Sequence, residues 1–227
     1  MLPRFTLCAF FLFFLSHAAF AQQEDTALTP RISVKLSPQH LLINGVHVYL
    51  ERGLKPDSRH ALVLSPRYYA GDTRTVDLFN DRNWQGEDNS KMKGYGIGLQ
   101  HRIYMAPHDG FSKRSAYFAY ELDYHHFNVT FDRMGWVPER GDDGLEYYRY
   151  KLRPFTERVN RVGGNLVMGL QTLAVDGWLL FDFYSGVGYH NSSIKTDFNF
   201  VRYDHNATDF GHTGVYFVSG MKVGIVL

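Results

Sequence analysis

The sequence predicts an all-β chain, an eight-stranded antiparallel up-and-down transmembrane β-barrel, and three observations carry that reading. The final stretch alternates with a period of two. Val215, Phe217, Met221, Val223, Ile225 and Leu227 share one face, broken by Ser219, while Tyr216, Gly220, Lys222 and Gly224 share the other with Val218 and Val226. An export leader opens the chain. Aromatic residues make up 16% of it, with 15 Tyr and 18 Phe, which suits the interfacial girdles of a membrane barrel.

Taken in order, residues 1–21 read as a signal peptide: Arg4, an apolar run from Ala9 to Leu15, then Ala19-Phe20-Ala21 before the cleavage point. The run is short of the roughly 20 apolar residues of a spanning helix. Cys8 lies inside it, so cleavage after Ala21 leaves no cysteine. It also removes Arg4, taking Lys+Arg from 24 to 23 against 23 Asp+Glu, which is zero formal net charge. No strong field then draws the chain to nucleic acid. No later segment is long and apolar enough for a transmembrane helix, and only helices and closed barrels satisfy every backbone group in lipid.

Residues 22–30 form a polar lead-in and 31–227 the barrel, with no second domain or repeat. Strand-like segments fall at about Arg31 to Ser37, Leu41 to Leu54, His60 to Ala70, Lys93 to Met105, Ser115 to Thr130, Asn160 to Leu173, Gly177 to His190 and Thr213 to Leu227. Short connections (55–59, 106–114, 174–176) alternate with long ones (Gly71 to Met92, Phe131 to Val159, Asn191 to His212). That is the pattern of short periplasmic turns and longer extracellular loops. Only the first outer connection, Pro38-Gln39-His40, is tight.

Each strand sorts its residues. Ile32, Val34 and Leu36 oppose Ser33 and Lys35; Val46, Val48 and Leu50 oppose His47, Tyr49 and Glu51; Tyr95, Ile97 and Leu99 oppose Gly96, Gly98 and Gln100; Phe181 and Phe183 oppose Asp182 and Tyr184. The apolar set is expected to face lipid and the polar and glycine set the interior. A soluble ligand-binding barrel has the same alternation with the sides exchanged. The export signal, the apolar terminal strand and the glycines on the polar face favour lipid outside.

On the Ala19-Phe20-Ala21-Gln22-Gln23 leader end, the Ile32 to Leu54 opening and the Phe181 to Tyr189 strand, the chain resembles small OmpA/OmpX-type outer-membrane barrels, most of all the uncharacterised eight-stranded ones of Bacteroidota. The resemblance implies a bacterial outer-membrane location, contact with membrane lipid and lipopolysaccharide, and recognition of the C-terminal strand by the barrel-assembly machinery. One departure is the terminal residue: such proteins usually end in Phe, and here Leu227 stands.

With that sidedness Lys35, Glu51, Arg67, Arg102, Glu121, Asp123, Asp182 and Lys222 point inward, four basic and four acidic. An eight-stranded interior is just wide enough for side chains to fill, so the set reads as a charge-balanced plug, with a narrow pore as the alternative. The other alternative is chemical. His190-Asn191-Ser192 places a base two residues before a hydroxyl, the resemblance to outer-membrane lipid A deacylases supplies the precedent, and Asp204 or Asp209 is available as the orienting carboxylate. In those enzymes asparagine follows the serine and glutamate is the usual acid, whereas here Ser193 follows and only aspartates are available. No cofactor is expected, and no metal: His125 and His126 point to opposite faces, and His205 and His212 lack ligand spacing. The role read from the sequence is structural or adhesive. It would run through outer loops carrying Phe79, Trp84, Trp136 and the run Tyr147 to Lys151, the place for an extracellular ligand.

Overall fold

The computed structural model describes residues 32–54, 59–73, 90–105, 114–174, 178–198, 201, 203–204, 206 and 209–227. The signal peptide, the lead-in, the Phe79 and Trp84 segment and His205 lie outside these.

Eight strands close into one antiparallel ring: β1 (Ile32–Leu36), β2 (Gly45–Gly53), β3 (His60–Asp72), β4 (Lys91–Tyr104), β5 (Arg114–Arg140), β6 (Glu146–Ala174), β7 (Leu179–Thr196) and β8 (Gly214–Val226). Each pairs with its sequence neighbour, and β1 returns to β8 in the register Val34↔Ile225 and Lys35↔Gly224. Closure removes the unpaired edges that an open sheet would expose. The tight outer connection contains one helical turn, α1 (Pro38–Leu41), opened by proline and followed by Asn44 at φ 56°. Asparagine tolerates that left-handed conformation, which turns the chain into β2.

The alternation becomes geometry. Cross-strand pairing lines up Val34, Leu50, Leu64, Leu99 and Leu122 in one row around the outside of five strands. Leu122 is 70% exposed and Phe217 on β8 is 88% exposed. The alternate positions, including Lys35, Glu51, Arg102 and Asp182, are buried inside. A water-soluble protein does not carry so continuous an apolar exterior around a charged core. The barrel is therefore a transmembrane one, with its backbone satisfied by ring closure, and it belongs in an outer membrane.

One expectation is corrected. Phe131 to Val159 reads in the sequence as a long loop, but here both strands continue through it. β5 pairs with β4 as far as Thr130, and β6 pairs with β7 from Glu157. Beyond those points β5 and β6 pair only with each other, from Phe131↔Phe155 to Arg140↔Glu146, as a two-stranded ribbon roughly 30 Å long at ordinary strand rise. A turn at residues 141–145 reverses the chain, with Gly144 at φ 80°. β7 likewise runs past His190 to Thr196.

Candidate functional site

The lumen has two storeys. In the lower one, toward the barrel end that holds the C-terminus, four charges from four strands meet. Lys35 Nζ donates to Asp182 Oδ2 at 3.0 Å and to Glu51. Arg102 Nη1 donates to Asp182 Oδ2 at 2.8 Å and to Glu51 Oε2 at 3.1 Å. Tyr117 Oη donates to Asp182 Oδ1 at 2.7 Å, Tyr104 Oη donates to Glu51, and Gln171 Oε1 accepts from Lys35 at 2.8 Å. Arg102 also stacks on the Tyr117 ring at 4.3 Å. All four charged side chains are at most 1% exposed. Burial of this kind is tolerated only because every charge has both a counter-ion and neutral hydrogen-bond partners.

Gln100 joins the storeys: its Oε1 accepts from Arg102 Nε at 2.7 Å and its Nε2 donates to Glu121 Oε2 at 3.1 Å. Above it Glu121 is paired with Arg67, whose Nη1 also lies 3.0 Å from His125 Nε2. Asp123 accepts from Asn165 Nδ2 at 3.0 Å, with His125 Nδ1 at 3.3 Å and His190 Nε2 at 3.6 Å. Lys222 sits between two rings, 4.1 Å from that of Tyr49 and 4.3 Å from that of Tyr184. All eight charged residues singled out in the sequence thus lie in the lumen, but direct ion pairs do not join them into one network. Lys35, Glu51, Arg102 and Asp182 make the plug, Arg67 and Glu121 pair above it, and Asp123 and Lys222 stand apart.

Solved structures with related shape include CarO2 of Acinetobacter baumannii (10% identity, TM-score 0.37, covering 88% of this chain and 98% of that one) and a major outer membrane protein of Thermus thermophilus (10%, TM-score 0.43, 87% and 99%). CarO of A. baumannii is a third (11%, TM-score 0.32, 88% and 96%). No protein-family model and no curated protein matches the chain. At these scores the likeness is coarse, and the barrel reading rests on this chain's own closed sheet.

The candidate hydrolytic group is rearranged. His190 and Ser192 do share the inward face, but Ser192 Oγ donates to the His212 carbonyl at 2.9 Å. The carboxylate beside His190 is Asp123 of β5, where the sequence offers Asp204 or Asp209. The reason lies in the register: Asp123 pairs with Gly163, and Gly163 with His190. A Cβ at Gly163 would overlap the His190 ring. Glycine there lets the imidazole lie across β6 toward Asp123, stacked at 4.0 Å on Tyr216. Asp209 instead accepts the Asn206 N–H at 3.0 Å, and Asp204 is half-buried in the β7–β8 connection. His125 is buried inward and His126 lies on the outward face, bonded to Asn160 and Asn128. Among the described residues no group of three or more His, Cys, Asp or Glu is placed to hold a metal ion.

Sequence reasoning missed Arg161. It lines the upper storey, donates from Nη1 to the Phe210 carbonyl at 3.2 Å and lies over the Phe127 ring. Its parity with Asn165 and Gln171 on β6 was the available signal. Over the mouth, Tyr203 and Phe210 fold down from the β7–β8 connection onto Tyr69, Phe127, Phe131 and Phe155, forming an apolar roof.

Outside the membrane, the ribbon turns one face outward with Met134 opposite Leu152, Trp136 opposite Tyr150 and Pro138 opposite Tyr148. Trp136 is 63% exposed and Tyr148 65%. Near the tip, a hydrogen bond from Lys151, with Arg149 also close, holds the Glu139 carboxyl below its usual range. The Tyr147 hydroxyl and the Leu145 N–H do the same for Asp143, and the carboxylate in turn pushes the Tyr147 phenol up.

Proposed function

We propose that the protein is a non-conducting outer-membrane barrel that acts on the cell exterior, where the β5–β6 ribbon engages an extracellular partner. The observation that carries this reading is the ribbon itself. Ten residues of each strand extend past the barrel wall with Trp136, Tyr148 and Tyr150 held exposed on a paired scaffold. Rigid aromatic groups of this kind serve as anchors at binding surfaces. The hydrogen-bonded plug argues for the filled lumen over the narrow pore. Kinship with Bacteroidota barrels of this size belongs to the same reading and is supported by the Phe181 to Tyr189 strand.

Lipopolysaccharide is the proposed membrane partner. Pairing places Lys93, Asn128, Arg158 and Lys195 in one row around the outer rim of β4 to β7, and all three cations are exposed. Cations at that height suit the phosphates of a lipid headgroup layer.

The test compares cells displaying the full chain with cells in which residues 133–153 are replaced by a short turn, both proteins being checked for heat-modifiable mobility. Loss of attachment to host-type or abiotic surfaces with the trimmed barrel supports the reading; equal attachment by folded forms of both overturns it.

A further inference from the structure

The plug fills the lower lumen and leaves the upper lumen open. A cavity of about 350 Å³ lies there, lined among others by Lys222, Tyr49, Tyr184, His40, Ile43 and Phe210. Its charges are unequal. Arg67, Arg161 and Lys222 face it with Glu121, and Asp123 lies behind His125 and His190, two of the four histidines that line it. Both carboxylates are engaged already, Glu121 by Arg67 and Gln100, and Asp123 by Asn165, His125 and His190.

Lys222 is left over. It is 2% exposed, and among the described residues no hydrogen bond or ion pair reaches its ammonium, which lies over the faces of Tyr49 and Tyr184, while the carboxylates that act on it from a distance, Asp182 and Glu121, are already paired with Arg102 and Arg67. The plug does not need it, since Lys35 and Arg102 already match Glu51 and Asp182. Arg161 repeats the pattern, with Nη1 on one backbone carbonyl and Nε buried without a partner. A buried cation without a direct ion pair of its own is costly, and here two of them border a space large enough for a ligand.

We infer that this cavity binds a small organic anion: a carboxylate that rests on the Lys222 ammonium and carries a compact, flat apolar body. The body is specified by the remaining walls, which are Phe127, Val167, Val218, Phe210 and the tyrosine faces. The anion supplies the charge that Lys222 and Arg161 lack, and the aromatic walls accept a ring by stacking. This site is independent of the ribbon, and its outcome leaves the adhesion test untouched.

The probe is benzoate, titrated into the ¹⁵N-labelled full barrel in detergent micelles, with benzyl alcohol as the uncharged analogue. Saturable one-site shifts at the Lys222, Tyr184 and His190 amides with benzoate, and far weaker ones with benzyl alcohol, are expected. A heat-modifiable Lys222→Met barrel should bind benzoate roughly tenfold or more weakly, the size of a lost charge-assisted hydrogen bond. If that variant does not fold, the benzoate and benzyl alcohol comparison on the unaltered protein decides. Equal response to the two probes, shifts confined to the ribbon, or unchanged affinity in the folded variant overturns the proposal.

Discussion

Lys35 Nζ and Asp182 Oδ2 lie 3.0 Å apart across the lumen, although 147 residues separate them in the chain. β1 and β7 are not neighbours in the sheet, since β8 stands between them. The contact crosses the barrel interior over Gly224, which pairs with Lys35 and has no side chain to block it. It is one side of a four-charge ring in which each carboxylate has two cations. Removing one member therefore leaves the others buried and underpaired.

Replacing Arg102 with Ala is expected to destabilise the barrel by about 3–5 kcal/mol, because Glu51 and Asp182 would then share only Lys35. Urea unfolding in micelles, read by the loss of the fast-migrating folded band, measures this. A midpoint equal to that of the unaltered protein would remove the plug as a source of stability.

The same plug predicts electrical silence. Planar bilayers holding the purified barrel should show no unitary conductance steps, because a closed hydrogen-bonded set spans an interior of this width. Regular steps in the unaltered protein would restore the pore reading.

Gly163→Ala should push the His190 ring off Asp123, since the added methyl would overlap the ring. Overpacking of this kind costs about 1–3 kcal/mol. Altered imidazole nitrogen shifts for His190 and a lowered unfolding midpoint are the expected readouts, while unchanged shifts would mean the ring does not lie where the register puts it.

The ribbon tip should depend on acid. Asp143 is held below its ordinary carboxyl value, first by the Tyr147 hydroxyl and then by the Leu145 N–H. A carboxyl depressed in the folded state contributes order above its unfolded value, near ~3.9, and loses it as pH falls through the lower folded value. Amide exchange at Leu145 should therefore be slow at pH 5 and speed up below pH 4 beyond the intrinsic trend, and Asp143→Asn should abolish that change.

Trp136→Ala is expected to leave barrel stability nearly unchanged, since its cross-strand partner Tyr150 is exposed and such pairs are worth about 0.2–1 kcal/mol. Attachment of cells should fall nonetheless. Full attachment by the variant would shift the contact elsewhere on the ribbon.

The two faces of the barrel wall are written in the chain itself. A period of two is a property of the strand, so the alternation of Leu50 with Glu51, or Phe183 with Asp182, assigns lipid and lumen sides before any fold is known. The same rule continues past Thr130, with Met134, Trp136, Tyr148, Tyr150 and Leu152 on one side of the ribbon and Arg133, Glu139, Arg149 and Lys151 on the other. There the dense charge, Gly135, Pro138 and Pro154 obscure it, and Tyr147 to Lys151 reads as loop although it is paired strand. Which lumen charges meet is settled by the closed ring alone. Side-chain direction is local, but partnership depends on strand order, register and the glycines at 163 and 224 that let groups reach across the ring. That is why Lys35 found Asp182, His190 found Asp123, and Lys222 was left facing an open cavity.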